Sequence, residues 1–482
     1  MKFLLQERKS IVKKAILSID YSFVLRDSDR IPQGMSQREF RAGLVFGNQK
    51  NRDLFLERVS GKAGFYSLPY FEKETRKIIN FTRSLRKRFD TFVVLGIGGS
   101  ALGTAAVMEA LSDRRSKKGG SVLVLDNVDP DKFGAAISHL DFEKTVFNVI
   151  SKSGVTLVTL SQFFVISRLL KRKVGKGWKE QIIITTDPEG GLLRDIARDG
   201  EFLSFPVPPT VGGRFSVFSP VGLLPLAFGG VDVNALLEGA RFADGINLGT
   251  KGEANPVVVL AVIYSHFMEE ARKNTFVLFS YSDYLGKLGE WFCQLWAESL
   301  GKERRVGGKT GRVGQTPVGV VGVTAQHSQL QLYMDGPDDK IYTFIGPGKF
   351  KKDFSIRPPF KEARVEFFHE KKMGDLFRAE MEATVCSLAA KGRPAVIIEP
   401  YERNAFSLGA LMFLFECVTA LTGKILRINP FDQPGVEYGK MLTQALLDDK
   451  MSRDYLDDVD EFKSIKGTCK INMEVSWKGS KG

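Results

Sequence analysis

Cysteine and histidine are scarce, with 4 of each in 482 residues. Cys293, Cys386, Cys417 and Cys469 fall at irregular spacing with no C-x-x-C pair. That excludes a disulfide framework and a zinc ribbon and fits a reducing, cytoplasmic setting. Long apolar runs are lacking too. The opening Met1–Ser10 holds only Phe3-Leu4-Leu5 before charges arrive, too short for the core of a secretion signal, so none is expected. Gly409–Leu421 is interrupted by Glu416 and falls short of the roughly 20 apolar residues a membrane span needs. It is expected to be a buried helix, and no membrane partner is expected. Tandem repeats and low-complexity tracts are absent as well.

What is present is an ordinary globular composition, 43% hydrophobic and 26% charged, able to bury real cores over two domains at this length. Lys and Arg number 69 against 56 Asp and Glu, a formal charge of +13. The excess is spread through pieces such as Arg83–Arg88 and Lys171–Lys179, with no RNP, zinc-finger or helix-turn-helix pattern beside them. No nucleic-acid partner is expected. A solvated basic surface is the simpler reading, and small anionic substrates explain the excess equally well.

Periodicity divides the chain into a mixed, helix-rich opening over 1–90 and two series of short apolar runs alternating with helical stretches. The first series places strands at Thr91–Ile97, Ser121–Leu125, Val146–Ile150 and Gln181–Thr185. The second places them at Thr275–Tyr281, Val318–Thr324, Ile341–Ile345 and Ala395–Ile398, with amphipathic stretches at Ser282–Leu300 and Ala405–Thr422. Repeated βα units predict an α/β fold with parallel sheets. The boundaries read as an N-terminal region 1–90, α/β domains over 91–250 and 251–430, and a C-terminal helix and tail over 431–482. The helical stretch Val231–Asn255, punctuated by Pro256, marks the junction. A helix is expected from Val436 to Leu447, with Pro434 suited to its first turn, and the terminal 478–482 is too polar to pack.

Several segments carry chemistry. Val93-Val-Leu-Gly96-Ile-Gly98-Gly99-Ser100-Ala101-Leu-Gly103 runs from a strand through a Gly-rich turn into a helix. Free N–H groups at such a turn favour an anion. A phosphate or sugar site, a dinucleotide site with Asp126 as ribose ligand, and a tight structural turn all remain open. Ser151-Lys152-Ser153-Gly154-Val155-Thr156 places three hydroxyls and an ammonium at the start of another helix, a combination suited to a phosphate. A plain helix cap is the alternative. In Val211-Gly212-Gly213-Arg214-Phe215-Ser216 two glycines deliver a guanidinium that is either a stabiliser of developing oxyanion charge or an idle surface arginine. Gln294 and Glu298 are four apart and share a helix face; Glu298 is a candidate base, or an ordinary i,i+4 ion pair with Lys302. His327, following an apolar strand, is a candidate proton carrier or a solvated residue, and a single histidine supports no metal site. Finally Gln433, Glu437 and Lys440 lie along one edge of a turn and helix, which also fits a solvated face.

Taken in order over 93–447, these segments resemble the glucose-6-phosphate isomerase (phosphoglucose isomerase) family: Gly96-Ile-Gly-Gly-Ser-Ala-Leu-Gly, Ser151-Lys-Ser-Gly, Val211-Gly-Gly-Arg-Phe-Ser, Glu298-Ser-Leu-Gly-Lys, Gln326-His327 and Phe431-Asp-Gln-Pro-Gly-Val-Glu-Tyr-Gly-Lys. The resemblance implies two sugar-isomerase (SIS) domains, each a parallel sheet flanked by helices, and a homodimer in which His327 serves the partner's site. It implies no metal and no cofactor. The implied reaction interconverts glucose 6-phosphate and fructose 6-phosphate through a cis-enediol(ate), in glycolysis and gluconeogenesis. His327 and Lys440 would assist ring opening, Glu298 would carry the C1/C2 proton, and Arg214 would stabilise the enediolate. The phosphate would sit on Ser100, Ser151, Lys152, Ser153 and Thr156, with Gly99, Gln294 and Gln433 lining the sugar. Val155 stands where the family commonly has another Thr, the family's Gln or Thr followed by Glu is replaced at Val158 and Thr159, and Leu300 replaces a usual polar residue. Two other readings follow from the same segments. A dual phosphoglucose/phosphomannose isomerase would accept mannose 6-phosphate, and a SIS-domain regulator would bind a sugar phosphate without converting it.

Overall fold

The computed structural model describes residues 16–26, 31–32, 34–111, 119–308, 310–360, 362–448 and 453–466. Cys469 and the 478–482 tail lie outside them. The chain forms two compact units, residues 1–431 and 432–482.

In the first unit the strands, in chain order, are β1 (Leu17–Asp20), β2 (Thr91–Leu95), β3 (Ser121–Leu125), β4 (Thr145–Ser151), β5 (Ile182–Thr186), β6 (Leu203–Pro206), β7 (Thr275–Ser280), β8 (Lys302–Arg304), β9 (Thr310–Val313), β10 (Thr316–Val321), β11 (Lys340–Ile345) and β12 (Ala395–Pro400). One sheet has the order β3-β2-β4-β5-β6, parallel throughout. The other has the order β1-β12-β11-β7-β10, parallel except at the β1 edge. Helices flank both, so the expected α/β class holds.

The strands explain themselves through side-chain alternation. Phe92 and Val94 of β2 enter one large core, while Val93 and Leu95 enter another with Phe163, Ile166 and Leu170 of the helix Leu157–Lys173. Likewise Phe276 and Leu278 of β7 join the large core, and Val277 and Phe279 pack with Tyr333, Met381 and Val385 on the far side. Buried on both faces, these strands read as continuous apolar runs. The large core therefore belongs to both sheets and is filled by the helices Pro220–Phe228, Val233–Gly249, Pro256–Glu269, Gly286–Leu300 and Ala405–Ile425.

The structure departs from expectation in four places. Leu17–Asp20 in the helix-rich opening is a strand, paired antiparallel with β12. The short β6 extends the first sheet, and β8 and β9 form a separate antiparallel hairpin. Ala405–Ile425 is 21 residues of continuous helix, long and apolar enough to cross a membrane. Length therefore does not exclude a span there; burial of 89% of its most apolar window inside the unit makes it a core helix.

In the second unit, a short turn Pro434–Val436 leads into the helix Glu437–Ala445, followed by Arg453–Ile465. Tyr438 Oη donates to Asp458 Oδ2 at 2.5 Å and joins the two helices.

Candidate active site

The order β3-β2-β4 means that the chain leaves β2 for β3 on one side and returns to β4 on the other. A crevice opens at such a reversal, beyond the carboxyl ends of the strands. The two Gly- and Ser-rich loops, at 96–100 after β2 and 151–156 after β4, follow these neighbouring strands.

In the second loop Ser151 Oγ lies 2.8 Å from Thr156 Oγ1, and Ser153 Oγ lies 3.4 Å from both. Thr156 occupies the N-cap position of the helix Leu157–Lys173, yet no side chain caps that helix. The plain helix-cap reading is therefore overturned: the three hydroxyls converge on one another. Gly154, at φ +71, lets the turn close so that its N–H donates to Ser151 Oγ at 3.2 Å. Lys152 Nζ donates to Pro209 O at 2.6 Å, and burial lowers its pKa from the ordinary lysine value. Three converging hydroxyls in a loop that also carries an ammonium suit an anion. Val155, in place of a hydroxyl residue, is 55% exposed.

The 96–100 turn sits against two other segments. A Cβ on Gly99 would fall 2.2 Å from Gly213 C, and one on Gly98 would fall 2.8 Å from Gln294 Nε2. Glycine at both positions lets the turn touch the Arg214 segment and the helix Gly286–Leu300 directly. Ser216 Oγ donates to Gly213 O at 2.6 Å and approaches Gly99 O at 3.3 Å, tying the two glycine segments together.

On Gly286–Leu300 the four-residue spacing brings Gln294 Nε2 to donate to Glu298 Oε1 at 2.9 Å. The other carboxylate oxygen, Oε2, meets Arg214 Nη1 at 3.3 Å. Arg214 is only 2% exposed, so it is no idle surface residue. Its Nε donates to Ser299 Oγ at 2.7 Å and its Nη2 to Pro430 O at 2.6 Å. Lys302 Nζ donates to the main-chain O of Glu298 at 2.6 Å, where a cation satisfies the last turn of the helix. The result is a partly exposed carboxylate held between an amide and a buried guanidinium, both of which lie against the Gly-rich turn. Such a pair can remove a proton beside a carbonyl and stabilise the charge that develops on oxygen.

His327 is placed elsewhere. β10 ends at Val321, and His327 is the second residue of the helix Gln326–Asp335 rather than a strand-end residue. Its side chain is exposed. Gln326 Nε2 donates to Thr384 Oγ1 at 2.6 Å and anchors that helix to Met373–Ala390. Gln433 and Lys440 belong to the second unit. Gln433 precedes its first turn, and Lys440 Nζ pairs with Glu437 Oε1 at 2.7 Å on an exposed helix face. Among the described residues no group of His, Cys, Asp and Glu has a metal-binding arrangement. Hollows of about 730 and 650 Å3 open elsewhere, beside Asn48 and Asn247 and beside His266, and contain none of these side chains. Sequence reasoning missed Ser299 and Ser216. The available signal was Ser299 itself, a hydroxyl on the apolar helix face that also carries Trp296 and Leu295.

Comparison with known proteins gives a family and a fold. The phosphoglucose isomerase family model matches residues 80–466. A glucose-6-phosphate isomerase of Carboxydothermus hydrogenoformans is 42% identical over 81% of this chain and 86% of its own. One of Thermus thermophilus is 36% identical over 88% of this chain and 100% of its own. Among solved structures, a hypothetical protein from Thermus thermophilus superposes with a TM-score of 0.79 at 34% identity, covering 89% of this chain and 99% of its own. A glucose-6-phosphate isomerase from Chlamydia trachomatis superposes with a TM-score of 0.70 at 25% identity, covering 82% and 76%.

Proposed function

Since this chain belongs to the phosphoglucose isomerase family, we propose that it interconverts glucose 6-phosphate and fructose 6-phosphate, with Glu298 as the base that carries the proton between C2 and C1. The observation that supports this reading is the Glu298 carboxylate between Gln294 and Arg214. A C–H beside a carbonyl is a weak acid, so its removal near neutral pH needs a positioned base and a cation facing the oxygen that gains charge. Glu298 takes the proton from C2 of the open-chain aldose, leaving a cis-enediolate, and returns it to C1 to give the ketose. Arg214 balances the enediolate charge. The hydroxyls of Ser100, Ser151, Ser153 and Thr156, with Lys152, hold the phosphate, so binding energy from the remote end positions the reacting carbons. Gly99, Gln294 and Gln433 line the sugar.

His327 and Lys440 assist ring opening in this reading. His327 is exposed and so open to a second copy of the chain, and in this reading the working enzyme is a homodimer with a shared site. A cytoplasmic location fits the free cysteines Cys293, Cys386 and Cys417. The domain division at 91–250 and 251–430 is part of the same proposal.

The test is conversion of fructose 6-phosphate to glucose 6-phosphate by the purified protein beside Glu298→Gln, followed with a coupled dehydrogenase. The expected loss in kcat is about 1,000-fold with an unchanged melting temperature. Activity that survives the substitution would assign the base elsewhere. Specific activity that stays constant as the protein is diluted to monomer would remove the shared site.

A further inference from the structure

We propose that Ser299 is a positioning residue, which holds Arg214 so that its guanidinium meets Glu298 through a single nitrogen. This assignment rests on the isomerase reading above and adds to it a residue with no contact to the substrate.

A guanidinium is a rigid planar fork, and it grips a carboxylate most tightly with two parallel N–H bonds. A side-on grip uses Nε and Nη2, and an end-on grip uses Nη1 and Nη2. In this protein Nε is engaged by Ser299 Oγ at 2.7 Å and Nη2 by Pro430 O at 2.6 Å. Two hydrogen bonds in different directions fix the plane of the group. The edge presented to Glu298 is Nη1, and its 3.3 Å approach to Oε2 is longer than the usual 2.9–3.0 Å of an N–H···O bond. The carboxylate is thus close to a cation without being clamped by it.

The placement in sequence points the same way. Ser299 is fully buried and directly follows Glu298 on the helix Gly286–Leu300. One helix backbone therefore carries both the base and the clamp on the arginine, so any shift of the helix moves the two together. Removal of the hydroxyl leaves the buried Nε–H without its acceptor, and an unpaired buried donor is costly. The fork then loses one of the bonds that orient it toward Glu298.

The experiment compares wild type, Ser299→Ala, Ser299→Thr and Glu298→Gln in steady-state conversion of fructose 6-phosphate across pH 5 to 9, with melting temperatures alongside. Ser299→Ala is expected to lower kcat about 10-fold with KM within about twofold. Ser299→Thr, which keeps the hydroxyl, should recover most of kcat. Wild-type kcat in Ser299→Ala would overturn the proposal, as would a loss confined to KM. A Thr variant with the wild-type melting temperature but no recovery would do the same; if the extra methyl lowers its melting temperature, the split between kcat and KM in Ser299→Ala decides. A folded wild type that converts nothing overturns the isomerase reading and this assignment with it, whereas an active wild type matched by Ser299→Ala overturns the role of Ser299 alone.

Discussion

The Arg214 site and the interior of the helix Ala405–Ile425 each enclose an ionisable side chain and treat it in opposite ways. Arg214, 2% exposed, has hydrogen-bond acceptors on Nε, Nη1 and Nη2. Glu416, 0% exposed, has no hydrogen-bond partner on either oxygen, and burial pushes its pKa well above the ordinary carboxylate value. Removal from water penalises a charge in both places. With acceptors around it the arginine keeps its charge for use, whereas the glutamate keeps its proton. Asp244 shows a third outcome: also 0% exposed, it receives Arg58 Nη1 at 2.8 Å on both oxygens and Tyr70 Oη at 2.6 Å. Burial alone therefore does not decide the state of a group; the surrounding donors and acceptors do.

The comparison can be broken most severely at the arginine. Arg214→Lys keeps a positive charge but loses the planar fork, and kcat for fructose 6-phosphate should fall by about 100-fold or more in steady-state assays. Asp244→Asn removes the counter-charge of Arg58, and chemical denaturation should show a loss of about 3 kcal/mol.

Glu416→Leu tests the opposite case, and its effect depends on pH. The folded pKa is raised, so below the unfolded carboxylate pKa both states are neutral and the residue carries no ionisation penalty. As pH rises above that value the unfolded chain ionises while the folded one retains its proton, and stability falls until the folded pKa is reached. Glu416→Leu should therefore raise the melting temperature by ~2 °C or more at pH 8 relative to wild type, with a smaller gain at pH 4.5. Equal gains at both pH values would refute a protonated Glu416. The smallest effect is expected where water already surrounds the residue. Val155→Thr adds a hydroxyl to the exposed loop after β4, and one further hydrogen bond to phosphate should lower KM about threefold.

Much of this arrangement is legible in the residues. Apolar runs such as Val146–Ile150 give strands because burial on both faces leaves no polar alternation, and β4 spans that run, buried at every position. The contact of Gln294 with Glu298 follows from helical spacing. Other features have no local signal. β6 is four residues ending in Pro206, and β8 is Lys302-Glu303-Arg304, whose charges hide its pairing with β9. Arg214 and Glu298 are 84 residues apart, so only the folded sheets bring them together. Ser299 stands within a motif but carries no role there, because a hydroxyl beside a glutamate says nothing about an arginine from another loop. His327 reads as a strand-end residue in the sequence, but the turn after β10 carries it into a helix.

The pairing of β1 with β12 sets an order of events during synthesis. Leu17 lies opposite Pro400 and Asp20 opposite Ile397, so β1, made before the other strands of its sheet, waits for the last of them. Contacts of such sequence separation form late and slowly. Until β1 docks, β12 presents an unpaired backbone edge of the kind that recruits other chains. β1 thus works as a closing seal, and a chain from which it has been removed would leave the edge of a finished sheet open to aggregation.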